Sequence, residues 1–169
     1  MGLVDLNTIQ NPAVGLVPSV AWGDQIRDNF EYLASPPTCS LSGVAGGIAS
    51  AALPTQIDIT TENYDTGGMH AAAANQIVIV TAGFYQITMN VNWTSNAAGY
   101  RYVDAYNSTT VTVYEMYLVA PANGATTRNG GTRTASLAAG DVIIARGAQT
   151  SGGGLNVQVT EMVVRWIGR

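Results

Sequence analysis

One imidazole, one thiol, eleven carboxylates and seven arginines are the whole ionisable inventory, tyrosines aside, from which this 169-residue chain would build a reaction centre; lysine is absent. Without lysine there is no imine chemistry and no phosphate-loop cation. A Ser-His-Asp or Cys-His relay would have to run through His70, which stands in Gly68-Met69-His70-Ala71. A loop position or a subunit contact is the reading favoured for it over catalysis. Cys39 is the single cysteine, so neither a disulfide framework nor a zinc cluster can be assembled, and it is read as a small apolar residue. No cofactor and no metal is expected.

Carboxylates offer two further chemistries. A glycosidase needs two acids flanking a sugar bond, and Asp58, Glu62, Asp65, Asp104, Glu115 and Glu161 are the candidates. Their spacing pairs no two of them, and no enzyme activity is expected. Asp65 and Asp104 would suit calcium by oxygen chemistry, but no calcium-loop spacing surrounds them. Asp141, beside Gly140, reads as a turn acid. Tyr100, Tyr102 and Tyr106 fall on one side of a strand with Asp104 between them, and Tyr114 and Tyr117 follow on the next. Two readings of these tyrosines stay open: a platform on which sugar rings stack, and a subunit interface, where rigid aromatics dominate.

The elements that position these residues are mostly strands. In Gly83–Trp93 the residues Tyr85, Ile87, Met89, Val91 and Trp93 alternate with Gln86, Thr88, Asn90 and Asn92, the period of a half-buried strand. Further strands are expected near 56–61, 76–80, 99–107, 111–120, 131–137, 141–148 and 155–167, separated by glycine and asparagine turns. Such spacing predicts an all-β jelly-roll sandwich. Residues 111–120 are apolar on both faces, which predicts a strand buried on both, one of them against another subunit. In 155–167 the apolar phase slips, predicting a bulge near Thr160-Glu161 or burial on both sides.

Ahead of the sandwich, Pro12 and Pro18 predict an extended arm over the first part of residues 1–37, and Trp22, Ile26, Phe30 and Leu33 recur at helical spacing behind a Ser19 cap. So short a helix is marginal alone, so its stripe must dock on a partner. Residues 38–55 are small and nearly uncharged and read as a connector, leaving 56–169 as the head domain.

Composition limits the partners. Only 11% of residues are charged, against about 25% in ordinary domains, so much of the surface is expected to be covered by other chains. A net charge of −4 with scattered arginines argues against nucleic acid. There is no basic leader followed by an apolar run and no 18-residue apolar stretch, which predicts a soluble chain with no membrane insertion. The glycosylation patterns at Asn92-Trp93-Thr94 and Asn107-Ser108-Thr109 read as chance.

The order Tyr64-Asp65-Thr66-Gly67, Gly83-Phe84-Tyr85, Leu137-x-x-Gly140-Asp141-Val142, Gly152-Gly153-Gly154 and Ile167-Gly168 resembles the jelly-roll family of complement one-q heads and tumour necrosis factor. The likeness covers about 56–169. It departs in the longer alanine-rich stretch between Thr66 and Ile77 and in lacking a collagen-like stalk. The segment from Val17 to Leu33, with its Arg27-Asp28-Asn29 helix, is similar to the attachment leaders of small bacteriophage virion proteins. Together these imply a homotrimeric structural protein on a phage surface, assembled in the host cytoplasm. It would be a capsid decoration or head fibre bound to other virion proteins through residues 1–35, with Trp22, Ile26, Phe30 and Leu33 in the anchor. The exposed loops Asn96–Gly99, Asn123–Gly131 and Gln149–Gly154 would face solvent or host. The alternative is a tail-fibre or tail-tip protein that binds host-surface glycan, with a glycan hydrolase behind it.

Overall fold

The computed structural model describes residues 20–121 and 125–168. By internal contacts the chain divides between Pro36 and Pro37. In the first unit, helix α1 spans Val20–Ala34, close to the expected helix; the Ser19 cap and the extended arm lie outside the described residues. Asp24 accepts a hydrogen bond from Arg27 one turn on, at 2.8 Å, in the favourable acid-first order. Pro36-Pro37 follows and cannot continue the helix.

The second unit is a sandwich of two antiparallel sheets. Its strands are β1 (Thr38–Ile48), β2 (Ala51–Gln56), β3 (Thr61–Asp65), β4 (Ile77–Val78), β5 (Gly83–Trp93), β6 (Arg101–Asn107), β7 (Thr112–Val119), β8 (Thr127–Leu137), β9 (Val142–Gln149) and β10 (Leu155–Gly168). The first sheet runs β3-β1-β10-β5-β8 and the second β2-β9-β6-β7, with β4 also paired to β9. First and last strands lie side by side, as in a jelly roll. The core between the sheets holds Tyr85, Ile87, Met89 and Trp93 of β5, Val103 and Ala105 of β6, Ile143 and Ala145 of β9, and Met162 and Val164 of β10, all at 0% exposure. Trp93 also donates its indole N–H to Asn129 Oδ1 at 2.7 Å, and Asn129 Nδ2 in turn donates to the Arg101 carbonyl at 3.4 Å, tying the two sheets together.

Several expectations are corrected. Residues 38–55 are no connector: β1 pairs with β10 along its length, and β2 with β9. The small residues there answer packing, since Cys39 and Leu41 are fully buried and a Cβ on Gly43 would strike the Asp58 carbonyl. Pro54 is tolerated because β2 is a sheet edge. Ile57 and Ile59 are buried, but the strand expected near 56–61 does not form there: β2 ends at Gln56 and β3 begins at Thr61. β7 is an edge strand in which Met116 is buried, while Val113, Tyr117 and Leu118 stay exposed. A register slip opposite Val103 and Asp104 breaks its parity, and within one chain its other side is uncovered, the side for which a subunit contact is expected. The β10 irregularity falls at Val157–Val159 against β5, slightly ahead of its expected place. Of the expected loops, Thr127–Gly131 belongs to β8 and Gln149 is the buried end of β9; residues 122–124 lie outside the described ones.

Candidate functional site: a groove on the second sheet

Alternation along β6 turns Val103 and Ala105 into the core and Tyr102, Asp104 and Tyr106 to the opposite face. An outward aspartate is ordinarily wet, yet Asp104 is 0% exposed. Its cover comes from β9, whose register sets Arg146 directly opposite Asp104. Arg146 donates from Nε to Oδ1 and from Nη2 to Oδ2, both at 2.8 Å, a bidentate pair. The guanidinium also lies 3.8 Å from the centroid of the Tyr106 ring. Burial alone would lower the Arg146 pKa, but the hydrogen bonds and charge of Asp104 outweigh it and hold the cation above its ordinary value.

Above this pair lies a groove of about 330 Å³. Ala52 and Pro54 of β2 form one wall, Val113 and Leu118 of β7 another, and Tyr100 and Tyr102 complete the lining over the Asp104–Arg146 floor. Tyr100 is set by the turn before it. Gly99 has φ +72, and a Cβ there would run into the Thr150 carbonyl, so only glycine fits. The Tyr100 N–H then donates to Thr150 Oγ1 at 3.0 Å. Arg101, itself 0% exposed, clamps the same turn: Nη1 donates to the carbonyls of Ala98 at 3.0 Å and Tyr100 at 2.9 Å, and Nη2 to that of Asn96 at 3.1 Å. Burial lowers the Arg101 pKa.

The five tyrosines therefore divide. Tyr100 and Tyr102 line the groove and Tyr106 backs Arg146. Tyr114 pairs with inward Ala105 and is half-buried, and Tyr117, opposite Val103, is 54% exposed; neither lines the groove. Arg146 and Arg101 were missed by sequence reasoning. The available signal for Arg146 was a lone charge inside the apolar run Val142–Ala148. A second concavity, of about 490 Å³, lies between β5 and β8 and is lined by Asn90, Asn92 and Arg128 among others.

Of the remaining candidates, the Glu115 side chain lies outside the described part of the structure, and the others are held in separate structural roles. His70 bridges Glu62 Oε2 and the Ala74 carbonyl, each at 2.9 Å, with its side chain only 2% exposed. Burial opposes the charged imidazole, but the hydrogen bonds to Glu62 and Ala74 and the charges of Glu62 and Asp65 outweigh it and raise its pKa. Asp65 accepts from the N–H groups of Gly67 and His70, Asp58 from Asn75, Glu161 from Ser40, and Asp141 from Ala138 at the expected turn. Among the described residues no three His, Cys, Asp or Glu side chains gather to hold a metal. Cys39 is buried, and burial together with the nearby Asp65 and Glu62 pushes its thiol up to about 12. Of the anchor residues on α1, Ile26 is half-buried, Phe30 is 69% and Leu33 59% exposed, and the Trp22 side chain lies outside the described part of the structure.

No protein-family model matches the sequence, and no curated protein matches it. Solved structures do resemble the fold. The globular domain of zebrafish complement 1qA protein is 11% identical with a TM-score of 0.54, spanning 79% of this chain and 98% of that one. Murine APRIL is 11% identical at 0.50, over 76% and 98%. PRD1 vertex protein P5 is 19% identical at 0.51, over 78% and 97%. The chain thus has the jelly-roll fold of complement one-q and tumour necrosis factor.

Proposed function

We propose that this protein is a non-enzymatic homotrimer on the surface of a phage particle, assembled in the host cytoplasm. Its heads project outward while residues 1–35 bind another virion protein. The observation that carries the reading is the sharing of one fold by a complement one-q head and a vertex protein of PRD1, in a chain that also carries a helix with Phe30 and Leu33 uncovered. The head supports self-association as well. With 11% charge it has little to keep copies apart, and away from the groove the edge strands β2 and β7 expose Leu53 and Tyr117.

Light scattering of the purified protein tests the assembly. The expected mass is about three times that of the 17.6 kDa chain, and a monomer mass would contradict the reading. Deleting residues 1–35 is expected to leave a folded trimer that no longer joins particles; continued attachment would refute the anchor.

A further inference from the structure

We infer that the groove over the Asp104–Arg146 pair binds a neutral pyranose, either a single ring or the end of a glycan chain. The inference does not depend on whether the head sits on a capsid or a tail. At about 330 Å³ the groove lies at the small end of the range of ligand clefts. Its walls are what a sugar ring needs for its C–H faces: the rings of Tyr100 and Tyr102, with Pro54 and Leu118. Its floor is what sugar hydroxyls need. A hydroxyl oxygen accepts hydrogen bonds, and the partly exposed Arg146 guanidinium presents fixed donors to it above the buried Asp104. Arg146 spends two of its five N–H donors on Asp104, which lies fully buried beneath it, and has three left over. Hydrogen bonds from Arg146 are charge-assisted and about twice as strong as neutral ones.

Charge selects the ligand class. The pair sums to zero: the Asp104 charge directly beneath Arg146 offsets the cation's attraction for a phosphate, sulfate or uronate, while an uncharged ring needs no net charge. The donors are also fixed in advance. Arg146 is held between Asp104 and the Tyr106 ring, and Tyr100 is held by the turn that Arg101 clamps. A second copy of the chain is the competing occupant, and the floor argues against it. Subunit interface cores are depleted of charge, and an apolar partner would seal the leftover donors away from water at a cost of about 1–3 kcal/mol each.

Saturation-transfer NMR tests the inference, using the methyl glycosides of glucose, galactose and N-acetylglucosamine, with methyl glucuronide as the charged control. The expected result is transfer to the ring protons of at least one neutral glycoside. It should weaken about tenfold, the worth of one good contact, in Tyr102→Ala and in Leu118→Glu. Leu118 is 60% exposed on an edge strand, so its substitution leaves the fold intact. Stronger transfer to the glucuronide than to every neutral ring would overturn the inference. So would no transfer to any neutral glycoside, or transfer unchanged in Leu118→Glu. Dissociation of the assembly by Leu118→Glu, together with no transfer in the native protein, would show the groove to be a seam between copies.

Discussion

On the outward side of the first sheet stand Gln86, Thr88 and Asn90 of β5 and Thr132, Thr134 and Ser136 of β8, amides and hydroxyls that reach water or, as Thr88 and Thr132 do at 3.0 Å, each other. On the outward side of the second sheet the polar groups cover one another. Asp104 is fully buried beneath Arg146, and Arg146 rests on Tyr106. Both faces come from the same two-residue period. The first shows that pointing outward ordinarily means being wet; the second shows a strand spending its outward positions on a fixed ion pair beneath an apolar-walled groove. Buried pairs are weak contributors to stability, so such a pair is better understood through what it presents than through what it holds together.

Substitutions sharpen that contrast, beginning with the core both faces share. Trp93→Ala empties a fully buried site and leaves Asn129 without its indole donor, so chemical denaturation should show a loss of about 3–5 kcal/mol. On the second sheet, Arg146→Ala strands a buried carboxylate and should cost about 3 kcal/mol. Asp104→Ala leaves a partly exposed cation and should cost less. Equal losses from the two would break the account of the floor. On the first sheet, Thr132→Ala should stay within about 0.5 kcal/mol.

Two further effects lie off both faces. His70 has a folded pKa above its ordinary 6.5, so its contribution is complete below about pH 6.5 and is lost as pH rises through the folded value. The stability difference between the native protein and His70→Gln should therefore be larger at pH 5.5 than at pH 8, read from urea midpoints at each pH. Val111, at φ +58 in the β6–β7 turn, is a β-branched residue in a conformation that asparagine tolerates better, so Val111→Asn should stabilise by about 1 kcal/mol.

What the sequence made legible follows from range. β5 could be read outright because its signal, Tyr85 to Trp93, is wholly local. The same parity put Tyr102, Asp104 and Tyr106 on one side of β6. β1 was hidden because packing against the Asp58 carbonyl demands Gly43, and a strand of Ser, Gly and Ala has the composition of a linker. Arg146 was hidden for another reason. Its pairing with Asp104 depends on the register of strands 42 residues apart, which no local period encodes. The sandwich was therefore readable where alternation alone decided it, and the site only as far as its tyrosines and Asp104.

The most direct test is an experimental structure of the purified assembly in which side chains are resolved. The account predicts three copies meeting elsewhere than over Arg146, with the Asp104–Arg146 pair intact beneath an open groove. A lone chain, or a neighbouring copy seated on Tyr102 and Leu118, would contradict it.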